Sequence, residues 1–185
     1  MAEDVTVRRA TEADLDAINR IYNDEVLTNV ASWDFEAWSI EQRREWFAEH
    51  EGDETTPVFV AELASEPGGE VAGMSYLSQY RPRPGYRYTR ENTVYVDPRF
   101  HRRGIGAQLL GALVEEARRV GLRTVVAVIE GSNDASVALH EQFGYERVGL
   151  LHDAGYKFGR WLDSIYMELR LPGPEGGGDG AGDGG

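Results

Sequence analysis

The chain contains no cysteine, and Lys157 is its only lysine in 185 residues. The missing thiols exclude disulfides, a cysteine nucleophile and thiolate metal sites. The missing lysines exclude a Walker phosphate loop, which needs Gly-Lys-Ser/Thr where a helix begins. Four histidines stand at no metal-ligand spacing, and no Ser/His/Asp constellation emerges. Neither a metal nor a covalent acyl-enzyme is therefore expected. No apolar run approaches the roughly 18 residues of a membrane span. The opening Met-Ala-Glu-Asp-Val lacks the basic and apolar regions of a secretory signal. Basic residues are outnumbered, 19 against 32 acids, for a net charge of −13. That field repels nucleic acid and anionic membranes. The expectation is a soluble cytoplasmic protein that partners neither.

One domain of 20.6 kDa, 41% hydrophobic, has room for one sizeable core. Its most informative stretch runs from Val94 to Gly106 and continues through Ala107-Gln108-Leu109-Leu110. A β-branched, aromatic strand enters a turn holding Arg99, His101, Arg102 and Arg103, and an amphipathic helix starts at once. Ile105, Leu109, Leu110, Leu113, Val114 and Ala117 recur at helical spacing. The first amides of such a helix have no intrahelical partner, and Gly104 and Gly106 let a ligand come close. With arginines alongside, the turn reads as an anion seat, a phosphate being the expected occupant. A dinucleotide fingerprint does not fit, since Leu109 stands where its third glycine belongs. A glycine-rich turn with no ligand is the competing reading.

The pattern along the chain alternates strands and helices. A strand at Val5 precedes a helix capped by Thr11 and running to about Leu27, then an aromatic loop from Asn29 to Trp38. A second helix follows from about Ser39 to His50. Strands at Pro57–Leu63 and Val71–Leu77 form a hairpin through Pro67-Gly68-Gly69. An arginine- and proline-rich connection, 81–90, leads to a strand at 92–97, the helix at 104–120 and a buried-type strand from Thr124. Asn133 caps a helix to about Phe143, ended by Gly144, and two strands near 145–152 and 161–170 complete a mixed sheet. The predicted domain is 1–171, with a disordered tail of glycine and acid at 172–185.

Arg-x-Gly-x-Gly between strand and helix resembles the coenzyme A pyrophosphate loop of the GNAT acetyltransferases. The element order matches their α/β fold, a mixed central sheet with splayed strands flanked by helices. Four further segments narrow the likeness: Ile21-Tyr22-Asn23; Glu91 to Val96; Asn133 to Tyr145; and Gly155 to Asp163. Together they resemble the phosphinothricin / methionine sulfoximine acetyltransferase branch, over roughly residues 5–170. Two positions depart from it. His101 stands in place of the usual Gln or Arg, and Trp33 in place of the commoner Phe.

The resemblance implies acetyl-CoA as cosubstrate and the α-amino group of a small amino acid or analogue as acceptor. It further implies direct attack on the thioester and a homodimer. Glu91 is the implied base, against a simple ion pair with Arg90 or Arg87. His140 is the implied donor to the leaving thiolate, against a helix histidine bonded locally. The Val96 amide would hold the thioester carbonyl. Val94, Tyr95, Arg102, Arg103, Gly104, Ile105, Gly106, Ala107, Asn133 and Ser136 would complete the cofactor side, with Asn133 also a candidate helix cap. Arg81 and, more weakly, Arg83 would take the substrate carboxylate. Asn92, Thr93, Trp33 and Phe35 complete the candidate acceptor site, although loop aromatics also serve simply as anchors. Lys157, Arg160 and Trp161 fall where the branch approaches its partner subunit, with a plain basic turn as the alternative. A peptide N-terminal acetyltransferase and a noncatalytic acyl-CoA sensor are the competing functions.

Overall fold

The computed structural model describes residues 5–64 and 69–173. Pro67-Gly68 of the expected hairpin turn and residues 174–185 of the expected tail lie outside them. Seven strands form one sheet. They are β1 (Val5–Arg9), β2 (Val58–Leu63), β3 (Glu70–Gln79), β4 (Thr89–Val96), β5 (Thr124–Glu130), β6 (Glu146–Lys157) and β7 (Arg160–Arg170), in the order β1-β2-β3-β4-β5-β7-β6. Among the described residues only the β4–β5 pairing is parallel.

Helices cover both faces. On one lie α1 (Leu15–Thr28) and α2 (Ile40–Glu51), where Ile18, Ile21 and Val26 pack with Val58, Val60 and Met74. On the other lie α3 (Ile105–Arg119) and α4 (Asp134–Gln142), where Leu110, Leu113 and Val137 pack with Leu77, Val125 and Met167. The first helix begins later than Thr11. The Asp14 carboxylate accepts from the Thr11 amide and hydroxyl and from Arg8, closing a 3-10 turn ahead of α1. Ser39 caps α2 through a reciprocal box with Gln42.

The second departure is β6. It does not stop near residue 152 but continues to Lys157, because an irregularity between Leu151 and Gly155 interrupts the alternation without ending the pairing. Phe158 and Gly159, both with positive φ, then close a two-residue hairpin to β7.

Candidate active site

Strands β4 and β5 pair only at Thr89–Thr124, Arg90–Val125 and Glu91–Val126, then separate. A cavity of about 280 Å³ fills the opening, bordered by Glu91 to Tyr95 on one side and Ala127 to Glu130 on the other. The Asp97 amide bonds the Ala72 carbonyl, which sets the alternation along β3 and β4. Asn92, Val94 and Val96 therefore turn their backbone polar groups away from β3, toward the opening. Where the strands part beyond Glu91–Val126, the main-chain groups of Val94 face the opening and not a neighbouring strand.

Odd-numbered side chains of β4 face α1 and α2. Glu91 lines the cavity there, and burial alone raises its carboxyl above the ordinary range. Arg90 is turned away from it, bonding Thr55 and, at 3.4 Å, Asp53. The ion pair with Arg90 is thereby ruled out. Beyond Glu91 the lining is aromatic and acidic: Tyr22, Trp33, Asp34, Tyr76 and Tyr95. Tyr22 donates its hydroxyl to Asp34, and Trp38 Nε1 donates to the same carboxylate at 3.0 Å. Behind them the fully buried Arg43 stacks on Tyr22, Trp38 and Trp46.

Even-numbered side chains face α3 and α4. Asn92 Nδ2 donates to His140 Nε2 at 2.9 Å, while His140 Nδ1 lies 2.8 Å from the Ser136 carbonyl. The tautomer that satisfies both contacts carries its proton on Nδ1. Burial lowers the imidazole's pKa, with the Ser136 carbonyl opposing, so the ring is neutral. Asn92 Oδ1 is buried without a partner, an acceptor left beside the cavity. Asn133 also lines the cavity, and its Oδ1 accepts the Ser136 amide at 3.0 Å, so it caps α4.

Helix α3 opens on the same side. Gly104 sits in the left-handed region at φ 78°, where a side chain would be strained, and no side chain caps the helix. An added Cβ at Gly104 meets nothing within 4 Å, so the approach to these amides is open. Asp97 braces the turn leading in, accepting from the Arg99 amide at 3.0 Å and from Arg20 at 2.6 Å. Burial opposes its charge, but the Arg99 and Arg20 hydrogen bonds outweigh it and hold the carboxyl well below the usual range. The uncapped start of α3 lies beside the end of β4: a Cβ built at Gly106 falls 3.8 Å from Val96 and 3.4 Å from Leu139.

Comparison with known proteins decides what this arrangement is. Residues 18–145 match the acetyltransferase (GNAT) family. The chain belongs to the GNAT acetyltransferases. It is 41% identical over 166 residues to the L-methionine sulfoximine/L-methionine sulfone acetyltransferase of Pseudomonas aeruginosa, covering 90% of this chain and 94% of that one. It is 37% identical over 173 residues to the phosphinothricin N-acetyltransferase of Streptomyces viridochromogenes, covering 92% and 91%. A Salmonella typhimurium acetyltransferase solved with acetyl-CoA superposes with a TM-score of 0.87 at 37% identity, covering 94% and 97%. Acetyl-CoA is accordingly the expected cosubstrate of this GNAT enzyme.

Around the cavity the fold gathers Trp33, Glu91, Asn92, Thr93, Val94, Tyr95, Asn133, Ser136 and His140. Arg102, Arg103, Gly104, Ile105, Gly106 and Ala107 form the α3 turn outside that lining. Two members of the expected basic cluster are diverted. Arg99 is bound by Asp97 at 2.7 Å and Glu70 at 2.6 Å, and His101 Nε2 lies 2.9 Å from the Val96 carbonyl.

Arg81, Arg83 and Phe35 do not line the cavity. Arg81 lies over Tyr80 in the exposed loop after β3, and Phe35 is 66% exposed. The donor role for His140 does not follow from this geometry either, because both ring nitrogens already have partners within the protein. Lys157 is no part of a basic surface turn, being 1% exposed. Sequence reasoning left Asp34, Tyr76 and Ser32 out of the site. Only their neighbours in the aromatic loop and on β3 hinted at them.

Proposed function

We propose that the enzyme acetylates the α-amino group of a small amino acid or analogue of the methionine sulfoximine, methionine sulfone or phosphinothricin type. The observation that carries this is Glu91, a half-buried carboxylate with no counter-ion among the described residues, on the cavity where β4 and β5 part. An α-amine of pKa near 8 costs about 1.4 kcal/mol to deprotonate at pH 7, against roughly 4.6 for a lysine. A carboxylate whose pKa is raised suits the smaller task. Acetyl-CoA supplies the thioester carbonyl when bound, and the Val96 amide, aimed into the opening, donates to its oxygen as charge develops. Glu91 and Asn92 project from opposite faces of one strand. Attacking amine and departing thiol therefore have separate approaches, which direct transfer requires. His140 acts through Asn92, holding that carboxamide with Oδ1 toward the pantetheine arm. Ser136 and Asn133 border the same arm.

Asp34, Trp33 and Thr93 bound the acceptor pocket. We further propose a homodimer. The β6–β7 hairpin exposes Val148, Leu150, Leu151, Tyr156 and Trp161, an apolar edge that a second copy would cover. Acetyl-CoA and free amino acids meet in the cytoplasm, where we place the enzyme. Thiol release from acetyl-CoA over free amino acids, their analogues and N-terminal peptides tests the reading. Turnover on the amino acids alone supports it. Turnover on peptides alone, or tight acetyl-CoA binding with no turnover, overturns it. Sedimentation velocity checks the dimer, and a monomer at micromolar concentration would end that part.

A further inference from the structure

The chain's only lysine is also among its most buried side chains. Lys157 Nζ donates to the Ser32 carbonyl at 2.7 Å, with Phe158 alongside and the carboxylates of Glu25 and Asp34 in its field. Burying an ammonium is expensive unless it holds something in place. What it holds is the loop 31–34, which is also anchored by Glu25, accepting the Ala31 amide at 3.2 Å, and through Asp34 by Tyr22 and Trp38. Those four residues line the cavity. A compact ammonium meets one carbonyl end-on, where arginine's broad fork would not fit.

Two residues before Lys157 stands Gly155. Its φ lies outside the left-handed region, so the glycine serves space, not conformation. A Cβ built there falls 2.0 Å from Trp33 Cζ3 and 2.5 Å from Cε3. This backbone follows directly on the strand irregularity between Leu151 and Gly155. The cavity wall is thus a tryptophan laid flat on a glycine and tethered by a lysine, both from β6.

We infer that the β6–β7 hairpin sets which acceptor side chains enter the pocket: Gly155 gives Trp33 its room, and Lys157 fixes the loop that carries it. Both are positioning residues, and the inference rests on the acetyl-transfer reading above. Any side chain at position 155 drives the indole into the cavity and shortens the space for the acceptor.

The test measures kcat/KM for a short acceptor, alanine, and a long one, methionine sulfone, together with the acetyl-CoA Kd. Gly155→Ala should lower the long-to-short ratio by about tenfold, the scale of a methylene or two in a pocket, and leave the acetyl-CoA Kd unchanged. Adding Trp33→Ala to Gly155→Ala should restore the long acceptor. Lys157→Met should raise acceptor KM with kcat little changed. In protein labelled with 5-fluorotryptophan, the Trp33 fluorine resonance, identified by Trp33→Phe, should move in both variants. An unchanged ratio, equal losses on both acceptors, or an unmoved Trp33 resonance overturns the inference. If wild type acetylates neither acceptor, the functional reading fails instead. The Trp33 resonance then still decides whether the hairpin holds the wall.

Discussion

The two faces of the strand opening are built from different materials. Toward α3 and α4 backbone joins the side chains of Asn92, Asn133, Ser136 and His140: the β4 groups beyond its pairing with β5, and the uncapped amides behind Gly104. Toward α1 and α2 the lining is side chain, with Glu91, Tyr22, Trp33, Asp34 and Tyr95 enclosing the space. Main-chain groups are common to every sequence that adopts the fold, so the first face suits a cosubstrate shared by a whole family. Side chains change one at a time, so the second face suits an acceptor that varies among its members.

The division can be broken most sharply at Glu91. Glu91→Gln should cut turnover by about 10²–10⁴ while acetyl-CoA binding, read by calorimetry, persists. Because the base must be ionised, wild-type kcat/KM should fall as pH drops through its raised pKa, and the variant should lose that limb. Full activity in Glu91→Gln would remove the base assignment.

Asp97 tests the brace behind the backbone face. Asp97→Asn should cost about 2 kcal/mol of stability at pH 7, the range for hydrogen bonds to charged groups. A carboxyl whose folded pKa is depressed stabilises above its unfolded value, and that contribution is lost as pH falls through the folded one. The difference from wild type in urea unfolding should therefore narrow below about pH 4. A gap that stays constant down to pH 2 would mean the ion pairs contribute nothing.

Gly104→Val is smaller. Forcing a β-branched residue into the left-handed region costs about 1–2 kcal/mol of stability, and a turn that shifts to relieve it should weaken acetyl-CoA binding with acceptor KM unmoved. A loss on the acceptor instead would dissolve the distinction between the faces. The smallest effect belongs to His140→Asn, with less than about tenfold lost in kcat, since a thiol of pKa near 8.5 leaves readily at pH 8. A hundredfold loss there would return the proton-donor role to His140.

Much of the molecule was legible in the sequence because its signals were local. Periodicity marked α3, and glycine marked its start. The β4 segment was legible as a site because its residues adjoin in sequence, so one strand delivers Glu91, Asn92 and Val94 together. Illegible parts depend on distant packing. Nothing near Arg99 announces that Glu70 takes its guanidinium, and nothing near Arg81 announces that it lies over Tyr80. Lys157, in a run of Lys-Phe-Gly-Arg, read equally well as a surface turn until β6 proved to carry it inward to Ser32.

A chemical consequence follows from that lysine. Acetyl thioesters react slowly, without any enzyme, with whatever unprotonated amines they meet, and exposed lysine side chains are the usual casualties. Apart from Lys157 the basic side chains of this protein are arginines and histidines, and the one ε-amine it possesses is sealed against Ser32. An enzyme that spends its working life beside an activated acetyl group thus offers that group no lysine to modify.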